Sequence, residues 1–498
     1  MAMTMNPPVF LISGFLIILV VALGIGFTDT FEVVVEHVND FINTYFGWFY
    51  ILSVSIFVVF VLVLMTSKYG KIRLSSDDSP PSYSYFSWLA MLFSAGMGIG
   101  LLFYGVAEPI KHFTEPPIGS GETIEAAKTA MNISFLHWGL HAWATYIVIG
   151  LAIAYFSYRK GYPLSIRFIF YPLFGKRIYG WVGHTIDILA ILGTLFGVAT
   201  SLGLGAMQIN TGLSYLTNIP DTLFVKYILI TCITLMAMTS VVSGVNKGIK
   251  WLSIFNISVG AFLLLFVIFF GPTLYIFKAI IQHTGHFMQE FISTSLWTGT
   301  FRGSEWQSDW TVFYWSWWIS WSPYVGMFIA RISKGRTIRE FISGVLFIPS
   351  FFSFIWLTAF GSTGIRMTLL GDSTLMNAVD ANITTALFVF LDQFPFSVLV
   401  SFIATAVIIT FFVTSSDSGS LVIDMISSGG STDPPVWQRI FWSLLEGTVA
   451  ATLLAGGGLL ALQTAAISMA LPFSLVLLLI CFSLYRGLRS EATAQANG

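Results

Sequence analysis

Two aromatic stretches carry side chains spaced for chemistry. In WTVFYWSWWISWSPYVG, residues 310–326, Tyr314, Trp317, Trp321 and Tyr324 recur at i, i+3, i+7 and i+10, with Trp318 beside them. In FLHWGLHAWATY, residues 135–146, Trp138, Trp143 and Tyr146 fall within about 140° of one helical face at 100° per residue. A buried indole offers a negative ring face and an N–H that wants a partner. Several rings around a quaternary ammonium ion contribute roughly 0.5–2 kcal/mol each once water is excluded. The alternative is an aromatic belt at headgroup level. A belt would place the rings at span ends, whereas Trp317 to Tyr324 occupy the middle of their apolar run.

A second pair of stretches is suited to ions and carboxylates. SAGMGIGLLFYG, residues 94–105, sets glycine at 96, 98, 100 and 105 inside an apolar run. Alternating glycines favour local unwinding over a small-residue packing stripe at every fourth position. Unwound backbone at membrane depth is tolerated where it is buried or lines a cavity. Its free carbonyls can then coordinate a cation and its N–H groups can meet a carboxylate. FFVTSSDSGS, residues 411–420, supplies the hydroxyl and carbonyl oxygens that a hard cation such as Na⁺ needs in place of water. Those hydroxyls could equally back-bond to the preceding turn, and Asp417 could be solvated or cap a helix. The remaining intramembrane ionisable groups are Glu108, His137, His141, Asp187, Arg331, Asp424 and Glu446. No pair of them forms an evident proton relay. His137 and His141 share a face at i, i+4, with no carboxylate or cysteine in sequence reach to complete a metal site. They read as structural or gate-lining.

The elements that must hold these residues follow from composition. The chain is 56% hydrophobic and 9% charged, with a mean hydropathy of +0.81. Too little charge remains to cover a soluble surface, so this is an integral, all-α polytopic membrane protein. A formal net charge of −1 without a basic block excludes nucleic acid as a partner. Cys232 and Cys481 lie in apolar runs and read as small core residues. No nucleophile–base constellation, phosphate loop or dinucleotide fingerprint is present, so the chain does not read as an enzyme.

Apolar runs long enough to cross the hydrocarbon fall near 8–28, 46–66, 86–108, 133–157, 185–210, 225–243, 251–279, 309–332, 341–361, 387–414, 436–460 and 463–485, which predicts 12 transmembrane helices. The first has no basic region before it and no small-residue cleavage site after it, so it reads as a mature span. Alternate loops carry Lys68, Lys71 and Arg73; Arg159 to Arg177; Lys247 and Lys250; Lys334 to Arg339; Arg439; and Arg486 with Arg489. The positive-inside rule makes these loops, and both termini, cytoplasmic. Residues 280–308 mix Phe287, Phe291, Trp297 and Phe301 with polar side chains. They fit an extracellular interfacial amphipathic helix or an ordinary surface loop.

Taken together, GMGIGLLFYGVAEP, HWGLHAWATY, GTLFGVATSLGLGAMQIN, WTVFYWSWWISWSPYVGMFIARISKGRT and FFVTSSDSGS resemble the betaine–choline–carnitine transporter family along essentially the whole chain. The span-eight stretch is the most specific of these. The resemblance implies two N-terminal helices outside the repeats (1–85), then two inverted five-helix repeats of the neurotransmitter:sodium symporter type, spans 3–7 and 8–12. These would cover 86–279 and 309–485, separated by the 280–308 segment and followed by a short cytoplasmic tail, 486–498. It also implies an aromatic box for a trimethylammonium group at Trp138, Trp143, Tyr146 and Trp318, with Trp317 and Trp321 along the cytoplasmic path. Backbone at Met97 and its neighbours Gly96, Gly98 and Gly100 would meet a carboxylate, and Ser201 would add a polar contact.

For the coupling ion Na⁺, the resemblance places one site among Ser94, Met97, Phe411, Thr414 and Ser415. A second would use Thr194 and Tyr324, but Val198 stands where the family has a second hydroxyl. Retention of GMGIG points to sodium symport of glycine betaine as an osmoprotectant in a bacterial plasma (inner) membrane. Choline uptake or sodium-independent exchange is the alternative within the family, and a channel the alternative outside it. Homotrimers are implied by resemblance alone. The chain stops soon after Arg489, so regulation through a long charged tail is not expected.

Overall fold

The computed structural model describes residues 5–96, 98–243, 246–301, 305–431 and 434–497, with the backbone alone described at 93–96, 241–243, 246–250 and 494–497. Among these residues the chain is helical throughout, and β pairing is confined to one isolated bridge between Arg73 and Thr337. Among the described residues, nine helices are long and apolar enough to cross a membrane: Pro7–Gly26, Thr28–Thr66, Ile124–Arg159, Trp181–Leu216, Leu223–Ser240, Trp251–Phe270, Ile338–Leu369, Ser397–Ser427 and Gly458–Thr493. The other three expected spans are helical but differ in character. The stretch 86–108 is interrupted at mid-length, Phe313–Ile332 is rich in Trp, Tyr and Ser, and Val436–Ala455 carries Arg439 and Glu446. Phe313–Ile332 is buried along most of its length, so it need not be lipid-compatible on every side. The outer helices instead present Leu11, Phe15, Trp251, Phe269 and Phe402, all largely exposed, as bilayer-facing apolar surface requires.

The interruptions occur where the sequence puts its helix breakers. Tyr85–Gly96 stops at the glycine strip, Gly98 is fully extended (φ −168°, ψ 178°), and a new helix runs Ile99–Thr114. The seventh span ends at Phe270, not at 279, because Gly271–Pro272 closes it. Residues 273–279 belong to the next helix, Thr273–Ser295, which buries Ile276, Ala279 and Phe287 and packs along Ile124–Trp138. At the other end of the chain, Gly457 (φ 138°) and Gly458 (φ 59°) reverse direction between Val436–Ala455 and Gly458–Asn497. A side chain at either glycine would be strained. The last helix continues through the stretch expected to be a tail.

At the centre, Phe313–Ile332 packs against both Leu140–Ala154 and Trp181–Leu216, and Trp181–Leu216 packs along Ser397–Ser427. Several of the cationic loops meet on one face. Arg73 donates to the Gly335 carbonyl (3.0 Å), and Arg159 bonds the Ser75 carbonyl (2.8 Å), Asp77 (2.7 Å) and Glu491. Lys160 pairs with Glu491 at 2.6 Å. Loops sorted together by charge are therefore neighbours in space.

Candidate functional site

The aromatic stripes converge on a cavity at the helix break. Trp138, Trp143, Tyr146, Trp317, Trp318 and Trp321 line it together with Gly98, Gly100, Leu101, Ala142, Val325 and Ser353. Trp138 meets Trp318 edge-on at 5.1 Å, Trp143 meets Tyr146 at 5.4 Å, and Tyr146 meets Trp318 at 6.3 Å. Trp317 stacks on Trp318 at 4.8 Å and 13°. Four of these indoles have their N–H fixed: Trp138 by Glu108 (2.6 Å), Trp318 by the His137 carbonyl (2.9 Å), Trp317 by the Ser201 hydroxyl (3.2 Å) and Trp321 by the Gly197 carbonyl (2.9 Å). Satisfied N–H groups hold the rings in one orientation, so the ring faces that line the cavity are fixed in place.

Gly100 has a steric reason to be glycine. A Cβ there would lie 2.6 Å from Trp317 and 2.8 Å from Trp138. Gly98 meets nothing within 4 Å, and its hydrogen-only face is open to the cavity. Gly96 and Ser94 fall where the backbone alone is described, and Met97 lies outside the described residues. Ser201 is buried and bonds the Trp317 indole and the Gly197 carbonyl (3.3 Å), so it sits behind the ring.

Glu108 was the residue the sequence hid. It is fully buried, and its Oε2 accepts from Trp138 and from the Tyr314 hydroxyl (2.5 Å). Its Oε1 faces His137 Nδ1 (2.7 Å) and His112 Nε2 (3.3 Å), and His137 Nε2 meets the Thr311 hydroxyl (3.0 Å). Contrary to the expectation that no carboxylate stands by His137, one does. It arrives from the Ile99–Thr114 helix with His112 one turn on, 29 positions away in sequence. Glu108, His112 and His137 offer ligand atoms within 4.8 Å of one another. Four donors already occupy the four lone-pair sites of the carboxylate, so hydrogen bonding accounts for the cluster. His141, by contrast, stacks on Trp315 at 5.1 Å and does not join it.

A second chamber shares Gly98, Trp321 and Val325 with the aromatic cavity and is lined by Phe411, Thr414, Ser415, Ser418, Tyr324, Asn256 and Phe328. Thr414 back-bonds to the Thr410 and Phe411 carbonyls (3.1 Å each) and accepts from Asn256 (3.2 Å). Asn256 also accepts from Thr410 at 2.5 Å. Asn256 gave no signal in the sequence, since one amide in a long apolar run matches no motif. Thr194 and Val198 are buried one turn apart on Trp181–Leu216. This chamber extends past half-buried Tyr324 to Phe328, three residues from Arg331, towards the cationic loops. Tyr104, Phe313 and Tyr314 pack together, and each meets the Trp317 ring.

The structure is a multi-span helical bundle with an aromatic cavity at a helix break, and the comparisons make it a membrane transporter rather than an enzyme. Residues 8–493 match the model of the betaine/carnitine/choline family transporter, BCCT, and the chain belongs to that family. It is 46% identical to a "Glycine betaine transporter" of Acinetobacter baylyi, over 98% of this chain and 74% of the relative. It is 43% identical to a "Probable glycine betaine transporter" of Desulfitobacterium hafniense over 97% of each. It is 41% identical to the "High-affinity choline transport protein" of Escherichia coli over 98% of this chain and 72% of the relative.

Proposed function

We propose that the protein imports glycine betaine, or a close quaternary-ammonium analogue, by sodium symport with alternating access across a bacterial inner membrane, with both termini cytoplasmic. The observation that carries this reading is the cage of Trp138, Trp143, Tyr146 and Trp318 beside the bare, extended backbone of Gly98. The rings take the trimethylammonium group, and N–H groups of the glycine strip take the carboxylate. One sodium ion sits between that strip and the Phe411, Thr414 and Ser415 oxygens, so substrate and ion stabilise the same helix break. Trp317 and Trp321 line the exit. After two N-terminal helices outside them, spans 3–7 and 8–12 arrange as two inverted repeats, and three copies assemble.

Uptake of labelled betaine into proteoliposomes, with and without an inward sodium gradient, tests the reading. Sodium-driven accumulation is expected. Accumulation that ignores sodium would remove the symport, and flux that never concentrates substrate would indicate a channel. Competition by choline, carnitine, ectoine and dimethylsulfoniopropionate fixes the substrate. Choline outcompeting betaine would move the assignment to choline uptake.

A further inference from the structure

The wall of the aromatic cavity includes a serine that the betaine cage has not used. Ser353 stands on Ile338–Leu357. This helix packs against Leu140–Ala154, which carries Trp143 and Tyr146, and against Tyr85–Gly96, which leads into the glycine strip. The next residue fixes its level. Phe354 stacks on Phe135 at 4.1 Å and 2°, and its ring lies 2.7 Å from where a Cβ on Gly139 would be. The helix is thereby seated at the Trp138–Gly139 corner, where the fourth span is interrupted.

Hydroxyls on a buried helix commonly bond a carbonyl three or four residues back. Ser343, Ser350 and Thr358 do so, to Glu340 (3.2 Å), Leu346 (2.6 Å) and Phe354 (2.7 Å). Ser353 differs. It is 2% exposed, makes no side-chain hydrogen bond among the described residues, and lines the cavity with Gly98, Gly100 and the cage rings. Four indole N–H groups of that lining are already spent on protein acceptors. A buried hydroxyl without a partner is costly, and a ligand entering the cavity is the partner within its reach. A trimethylammonium group offers it neither donor nor acceptor. A carboxylate does accept, and a hydrogen bond to a charged acceptor is the stronger kind.

We infer that the Ser353 hydroxyl donates to the carboxylate of bound betaine, alongside the bare backbone of the glycine strip. Ser353 thereby selects a zwitterion over a quaternary ammonium ion with no anionic end. The contact rests on the betaine reading of the cage and is independent of sodium coupling.

The test titrates purified wild-type protein and Ser353→Ala by tryptophan fluorescence at one fixed sodium concentration. The ligands are glycine betaine and tetramethylammonium, which keeps the ammonium end and lacks the carboxylate. The wild type should bind betaine more tightly. In Ser353→Ala the Kd for betaine should rise about 10-fold, and the Kd for tetramethylammonium should not change. Alanine is favoured in a helix and the substitution removes one oxygen, so the fold is kept. Tetramethylammonium binding reports that the cage is intact. Equal weakening of both ligands would mean that the hydroxyl supports the cavity wall, and no weakening of either would mean that it meets no substrate. Each of those results overturns the contact and leaves the betaine reading standing. Wild-type protein that binds neither ligand overturns the betaine reading, and this contact with it.

Discussion

Among the buried carboxylates, Glu108 and Glu446 lie at similar depth in their helices, and their surroundings could hardly differ more. Glu108 receives four donors, from His112, His137, Trp138 and Tyr314. Glu446 receives two, both on one oxygen, and its other oxygen has none among the described residues. A carboxylate whose lone pairs are all used is a structural hub. It can orient neighbours, but it has nothing left for a ligand. A carboxylate with a bare oxygen and no cation is unfinished, and the missing partner is what it can bind. Glu108 therefore holds the Trp138 ring that lines the aromatic cavity, whereas Glu446 keeps one oxygen uncommitted among the described residues.

The comparison is tested hardest at the cage itself. Trp318→Ala removes a wall ring and leaves the His137 carbonyl without its indole donor. With about 2 kcal/mol from one desolvated ring, betaine binding should weaken about 30-fold or more, while the purified protein keeps its thermal transition. Fluorescence titration with betaine reads this, and undiminished affinity would refute the cage. Glu108→Gln comes next. One amide oxygen cannot serve four donors, and each buried donor left alone costs about 1–3 kcal/mol. The melting temperature should fall and the Kd for betaine should rise about 10-fold, with the sodium dependence of uptake unchanged. A variant that instead lost sodium dependence would put an ion at Glu108 and end its role as a hub.

The cage was legible in the sequence because aromatic spacing, helical period and mid-span position all point the same way. The helix break was legible because three alternating residues without a Cβ have few other uses at that depth. The reason Gly100 must be small was not, since Trp317 and Trp138 reach it from distant parts of the chain. Glu108 and Glu446 were visible only as lone acids. Their partners come from other helices, and a residue's hydrogen-bond count cannot be read along one. The same holds for Asn256, whose bond to Thr414 spans 158 positions. The break at Gly271–Pro272 was printed in the chain, but the apolar residues flanking it masked it.

A smaller effect probes the ion chamber next to the cage. Thr414→Ala removes the hydroxyl that accepts from Asn256 and, in the proposed first sodium site, one ligand of several. Half-saturating sodium for betaine uptake should rise a few-fold, and the Kd for betaine at saturating sodium should stay constant. Equal losses in both quantities would mean that the hydroxyl supports the bundle and not the ion.

The smallest effect is expected at a third carboxylate, one with both a cation and water. Asp77 lies in the loop after Ser75 and takes a hydrogen bond and charge from Arg159, which hold its carboxyl below the ordinary carboxylate range. Because the folded value is depressed, its contribution is present above that ordinary range. It is lost as pH falls through the folded value. The side chain is two-thirds exposed, so salt and solvent screen most of the attraction. Asp77→Asn should therefore lower the melting temperature slightly at pH 7 and low salt, with the gap to wild type closing as the pH falls below the ordinary carboxylate range. Added salt should close it as well. A drop as large as that expected of Glu108→Gln would show that exposure does not rank these carboxylates, and the contrast drawn between Glu108 and Glu446 would lose its physical basis.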